Sequence, residues 1–177
     1  MPDSIEVNAL KQWTGKTTAN IIFDSTIDEF TYGDVLTKVQ GKENTAIIGF
    51  TTDGDVFGVF DNIPLDTQKP WLYDQHIFVF SFESHGRCAT PQRFPVKKSL
   101  RNKAGVGVWK NPGRFVQVWV GDAGCFYLGD ERGPSYCWDL GHVFEGLEDT
   151  TLTGQNNTDH TRPPYHHCSR LVVVQLV

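Results

Sequence analysis

The sequence predicts a mainly β protein of the α+β class: a two-sheet antiparallel β-sandwich with two or three short peripheral helices. Three observations predict it. Aromatic residues make up 12% of the chain, as Phe 12, Tyr 5 and Trp 5, and flat, rigid side chains favour pleated strands. Seventeen glycines and nine prolines supply turns. Short apolar runs, some alternating and some apolar on both faces, outnumber helical patterns. The 177 residues match one domain at ~100–200 residues per domain, so 1–177 is expected to fold as one unit. With 39% hydrophobic and 21% charged residues, the chain is neither disordered nor fibrous. No apolar run reaches the ~18 residues of a spanning helix.

The first element is a helix over residues 3–14. Asp3 is placed to cap it, with Glu6 three residues on. Ile5, Ala9, Leu10 and Trp13 then share one face, and Gly15 ends it. Asn20–Asp24 reads as a strand. Thr31 caps a second helix through Gln40, with Asp34 at the capping-box position and Val35, Leu36 and Val39 facing inward; Gly41 stops it.

Thr45–Thr51 and Asp55–Phe60 are apolar on both faces and flank Asp53-Gly54. They read as a hairpin with a type I′ turn, placed centrally in its sheet because both faces need cover. His76–Phe82 and Arg114–Val120 follow as strands. Cys125–Leu128, Tyr136–Trp138 and His142–Phe144 are weaker ones, and Arg170–Val177 ends the chain as another. Residues 84–111 hold scattered short strands, and residues 154–165 form a polar loop. The total is about nine strands, with the helices at one edge.

Charge is uneven. The net charge is −5, from 16 basic and 21 acidic residues, which disfavours general nucleic-acid binding. Yet residues 84–121 contain no acid and eight bases: Arg87, Arg93, Lys97, Lys98, Arg101, Lys103, Lys110 and Arg114. The remainder holds 8 basic and 21 acidic residues, a net of −13. Such asymmetry points to a basic surface on an acidic body. Arg87, Arg93, Lys97, Lys98, Arg101 and Lys103 are the candidate binding residues, with solvated loop cations or internal pairs to Asp130, Glu131, Glu145 or Glu148 as the competing reading. Phe94, Trp109 and Phe115 interleave with these cations and could stack on bases, although alternation points Phe115 and Trp119 toward a core.

Catalytic and metal motifs fail on context. Gly15-Lys16-Thr17 lacks the upstream glycine of a phosphate loop and lies between a helix and a strand, the reverse of the required order. Asp53-Gly54-Asp55 is flanked by strands, unlike a calcium loop. Cys137, His142 and the run His166-His167-Cys168 could supply zinc ligands, but adjacent histidines on a strand point to opposite faces. No nucleophile elbow is present, and Ser84, His85 and Cys88 have no base placed beside them by spacing. The four cysteines, at 88, 125, 137 and 168, form no close pair. The N-terminus lacks a basic start and an apolar core, so free thiols in a reducing compartment are expected. Cys88, beside Arg87, is the candidate redox thiol, since a neighbouring cation favours thiolate. No cofactor, metal or catalytic residue is expected.

Several stretches in order resemble a known family. They are Asn20–Asp28, the hairpin from Asn44 to Phe60 with its Val56-Phe57-Gly58 ending, Phe78–Phe82, Cys125–Asp130, Ser135–Cys137 and Arg170–Val177. Together they resemble a TLDc domain of a divergent, single-domain, protist type, over nearly the whole chain. The departures are Gln75-His76-Ile77, where many members carry Gly-Glu, and Val59 after Gly58. The resemblance implies a β-sandwich, a non-catalytic protein-binding role, a link to oxidative-stress protection, and regulation of the vacuolar proton ATPase, whose subunits become candidate partners. A cytoplasmic location follows, with the nucleus as the alternative. The other functional expectation is a nucleic-acid or acidic-ligand binder using residues 84–114.

Overall fold

The computed structural model describes residues 4–69, 71–111, 114–120, 123–128, 135–137, 139–154 and 165–177. Among these, two six-stranded antiparallel sheets pack face to face, as the sequence predicts for a mainly β sandwich. The first sheet has the order β1 (Ala19–Asp24), β12 (Cys168–Leu176), β2 (Thr45–Thr51), β3 (Val56–Asp61), β5 (Phe78–Glu83), β6 (Gln92–Pro95). The second runs β11 (Tyr165–His166), β10 (Ser135–Cys137), β9 (Ala123–Leu128), β8 (Arg114–Val120), β7 (Ala104–Asn111), β4 (Leu72–Tyr73). Twelve strands therefore replace the expected nine. The long β7 lies in the segment read as scattered strands, because its alternating Gly105 and Gly107 dilute the apolar signal.

The central placement of the β2–β3 hairpin is as expected, but its turn is not type I′. Type I′ needs positive φ at both central residues, and here Gly54 alone has it, at +93°, while Asp53 does not. The loop has three residues. The Gly54 amide donates to the Thr51 carbonyl (3.1 Å), and Thr51 in turn donates to the Asp55 carbonyl (2.9 Å). This is a turn followed by a left-handed glycine that forms a bulge.

Three helices decorate the sandwich. α1 (Ile5–Thr14) is capped by Ser4, whose Oγ accepts from the Val7 amide; the expected cap, Asp3, lies outside the described residues. α2 (Tyr32–Val39) is capped by Thr31 as expected, and its Val35, Leu36 and Val39 are buried. α2 touches β1 and β7, so it closes one side between the sheets. α1, in contrast, lies on the outer face of the first sheet rather than at its edge, because that face is itself apolar. α3 (Leu140–Val143) replaces the strand expected at 142–144; only Phe144 bridges to Val96.

The core has two layers. Between the sheets, Phe57, Val59, Leu171 and Val173 meet Val106, Val108, Leu128 and Cys137. Outside the first sheet, Ala46, Ile48, Phe78, Phe80, Val172 and Val174 pack with Ala9 and Leu10 of α1. The Trp13 ring stands 6.0–6.1 Å from those of Phe78, Phe80 and Phe82.

Gly58 permits this second layer. A Cβ there would lie 2.1 Å from the Ile47 carbonyl oxygen and 2.7 Å from the Phe80 ring. Gly58→Ala should therefore cost at least ~2 kcal/mol by overpacking. Gly54→Val should cost ~1–3 kcal/mol for its left-handed backbone. Chemical denaturation measures both, and a parent-like midpoint for Gly58→Ala would contradict the observed β2–β3–β5 spacing.

Candidate functional site

The outer face of the first sheet is apolar from β1 to β5, yet one ten-residue helix lies on it. What α1 leaves uncovered is a groove of about 510 Å³. Its floor is Ile21, Ile48, Phe50, Val56, Phe82 and Val172, and the Val7 side of α1 forms one wall. Ile21 remains 47% exposed, and Ile5 in the first turn of α1 is 72% exposed. Sequence periodicity placed Ile5 on the buried face, but the packing contacts begin a turn later, at Ala9.

Polar groups ring the groove. Arg170 Nε donates to Asp24 Oδ1 (3.0 Å) and its terminal nitrogen to Oδ2 (2.5 Å), while its guanidinium stacks 5.0 Å from the centre of the Phe50 ring. That forked pairing holds the Asp24 carboxyl down at about 2. Glu83 accepts from the Ser84 and His85 amides at 2.9 and 2.7 Å, which keeps its carboxyl below the usual range. Glu6 and Asn20 complete the polar rim and are exposed.

The six cations singled out in the sequence occupy different environments. Arg87 is internal scaffolding: Nε donates to the Thr151 carbonyl (3.0 Å), and a terminal nitrogen donates to the Leu152 carbonyl (2.9 Å) and to Asp55. Asp55 is 2% exposed, so Arg87 neutralises a carboxylate under the hairpin turn. Its acid is thus none of those the sequence offered, and Asp130 and Glu131 lie outside the described residues. Arg93 donates to the Trp13 carbonyl (2.8 Å) and lies 5.7 Å from the Phe78 ring centre. Lys97 Nζ donates to the Gly141 carbonyl (2.6 Å). Lys98, Arg101 and Lys103 are exposed on the turn before β7; Arg101 and Arg93 share a second concavity with His76.

Phe94 is 1% exposed in the inter-sheet core, so it cannot stack on a base. The side chains of Trp109, Phe115 and Trp119, and Cys125, lie outside the described side chains. Cys88 and Cys168 are free thiols. Cys88 is half-buried, with the Ser84 hydroxyl 3.3 Å from its sulfur, while the neighbouring Arg87 head is engaged with Asp55. Cys168 is buried, and desolvation pushes its thiol up to about 12. His166 is buried and His167 exposed, on opposite faces as expected. His166 packs edge-on against Phe57, and burial pushes its imidazole down to about 4. Among the described residues no three His, Cys, Asp or Glu side chains are grouped to hold a metal.

Sequence reading missed one group. Asp61, at the end of β3, is 0% exposed and neither carboxyl oxygen makes a well-formed hydrogen bond, the Ile63 amide being only a weak contact; Thr45, directly opposite on β2, has an unpartnered buried hydroxyl. Desolvation, reinforced by nearby Asp74 against a minor pull from the Ile63 amide, pushes the Asp61 carboxyl up to about 8. Asp74 itself is well bonded, accepting from the Asn62 and His76 amides at 2.7 and 2.8 Å. Only the inward register of position 61, two residues beyond Val59, could have flagged it.

No protein-family model matches this chain, and no curated protein matches it.

Two outcomes follow from these charges. Arg87→Met leaves the Asp55 carboxylate with only the His85 ring, 3.6 Å away, and should cost about 2–4 kcal/mol; a loss under ~1 kcal/mol would make Arg87 an ordinary surface cation. Asp61 behaves in the opposite sense. Below about pH 4 it is protonated whether folded or unfolded. As pH rises toward about 8, only the folded state keeps the proton, so stability declines across that window. Asp61→Asn should be more stable than the parent at neutral pH, with the gap closing toward about pH 4. Denaturation across that range measures it, and an unchanged pH slope would mean that Asp61 does not carry the proton.

Proposed function

We propose that this chain is a non-catalytic, TLDc-like protein-binding module whose partner docks on the outer face of the first sheet, beside α1. The half-covered apolar groove is the observation that carries this reading. Apolar surface rimmed by polar groups is the usual mark of a protein contact site. The ordered resemblance from Asn20 to Val177 supports the family assignment. With it come a cytoplasmic setting, a role in oxidative-stress protection and, as first candidates for the partner, subunits of the vacuolar proton ATPase. No helix among the described residues is long and apolar enough to cross a membrane, which suits a protein recruited to a membrane complex through contact.

The competing reading, an acidic ligand or nucleic acid on the basic stretch, draws on the exposed Arg93, Lys98, Arg101 and Lys103, since Arg87 and Lys97 are bonded to Asp55 and to the Gly141 carbonyl. The test compares two variants in affinity purification from the native cell. Ile21→Asp changes the groove at a half-exposed position; Lys98→Glu/Arg101→Glu/Lys103→Glu changes the cations. Recovery of ATPase subunits should be lost with the first and kept with the second. Loss only with the triple variant, or displacement of the partner by excess single-stranded nucleic acid, would overturn the proposal in favour of the basic stretch.

A further inference from the structure

The groove has a shape and a charge that narrow its occupant. Its lining residues come from β1, β12, β2, β3 and β5, so it crosses five neighbouring strands. Four inter-strand spacings of ~4.8 Å make it roughly 19 Å long. It runs across the strands, so an extended peptide added to the β1 edge would not fill it. A helix laid beside α1 would, and about a dozen residues at ~1.5 Å each match that length. α1 shows how such a helix seats: small and apolar side chains at Ala9 and Leu10 go down, and Trp13 reaches across Phe78, Phe80 and Phe82.

The rim sets the charge. Arg170, the one cation among the described residues that line the groove, is already neutralised by Asp24. Neither Glu6 nor Glu83 forms an ion pair among the described residues, and both are exposed. The two amide bonds to Glu83 fix its carboxylate in place. Among the described residues that line the groove, an occupant meets two carboxylates without an ion pair, Glu6 and Glu83, the latter felt only at longer range by His85 and Arg87, and one cation that is already paired.

We infer that the occupant is a basic amphipathic helix of a partner protein, with apolar residues at helical spacing facing Ile21, Phe50 and Val56 and Lys or Arg flanks facing Glu6 and Glu83. The inference rests on the protein-binding reading and specifies the partner's chemistry. Apolar anchors supply affinity in this mode, and the flanking charges supply partner choice and on-rate.

Three synthetic helical peptides of about fourteen residues test it on the full chain: a Leu/Lys peptide, the same Leu pattern with Glu flanks, and a Ser/Lys peptide without apolar anchors. Binding is read by fluorescence anisotropy at about 0.15 M salt, where distant charges are screened. The Leu/Lys peptide should bind at least roughly tenfold more tightly than either other. Ile21→Asp should weaken it at least about fivefold. Glu6→Lys with Glu83→Gln, which retains the acceptor for the two amides, should remove the preference for Lys flanks. Glu145→Lys/Glu148→Lys, exposed acids outside the groove, should leave binding unchanged. Equal or tighter binding of the Leu/Glu peptide would overturn the basic-helix inference while leaving the docking groove intact. Equal binding of the Ser/Lys peptide, or insensitivity to Ile21→Asp, would overturn both.

Discussion

A β-sheet that is apolar on both faces needs two covers, and this molecule supplies one and a half. The inner face of the first sheet is sealed by the second sheet, where Phe57, Val59, Leu171 and Val173 are completely buried. The outer face depends on α1. Burying apolar surface stabilises by ~25 cal/mol per Å², so the contact of Leu10 and Trp13 with the phenylalanines of β5 anchors the helix firmly. The same physics leaves a deficit at Ile21, Phe50 and Val56, which a partner can make good. Gly58 sits at the hinge of both layers: without its bare backbone, β3 could not lie against Ile47 on one strand and Phe80 on another.

Charge in this fold is local rather than collective. Arg87 and Arg170 each pin a buried carboxylate, Asp55 and Asp24, and so tie segments far apart in sequence. Arg87 joins the β2–β3 turn to residues 151–152, and Arg170 joins β12 to the end of β1. Breaking one partner of such a pair removes most of the compensation for a buried charge, which is why these cations are structural although their side chains remain about a quarter exposed. Asp61 shows the other solution. No cation among the described residues pairs with it, and burial is met by retaining a proton instead.

The sandwich was legible because its signals are local. The doubly apolar runs at Thr45–Thr51 and Asp55–Phe60 announced strands covered on both faces, and they became neighbours in the middle of the sheet. The caps at Thr31 and Gly15 worked because capping depends on a few adjacent residues. What failed depended on distant partners. The β2–β3 loop took a bulge because the Thr51 hydroxyl receives the Asp55 amide, a bond that the pair Asp53-Gly54 does not encode. His142–Phe144 alternates like a strand, yet its neighbours wind it into a helical turn. Within the basic stretch, sequence could not show that Asp55 lies against Arg87 in space, while Arg93, Lys98, Arg101 and Lys103 are exposed as that reading expects of a surface. The groove was invisible for the same reason, since it exists only where β1, β12, β2, β3 and β5 come together beside α1.

The most direct test of the half-covered sheet is methyl nuclear magnetic resonance of the full chain during titration with the Leu/Lys helix. Ile21, Ile48, Val56 and Val172 report the outer face, while Ile47, Val59 and Val173 report the inner face of the same strands. The account predicts shifts for the first group and none for the second. Shifts spread equally over both faces, or confined to residues around Lys98–Lys103, would contradict it.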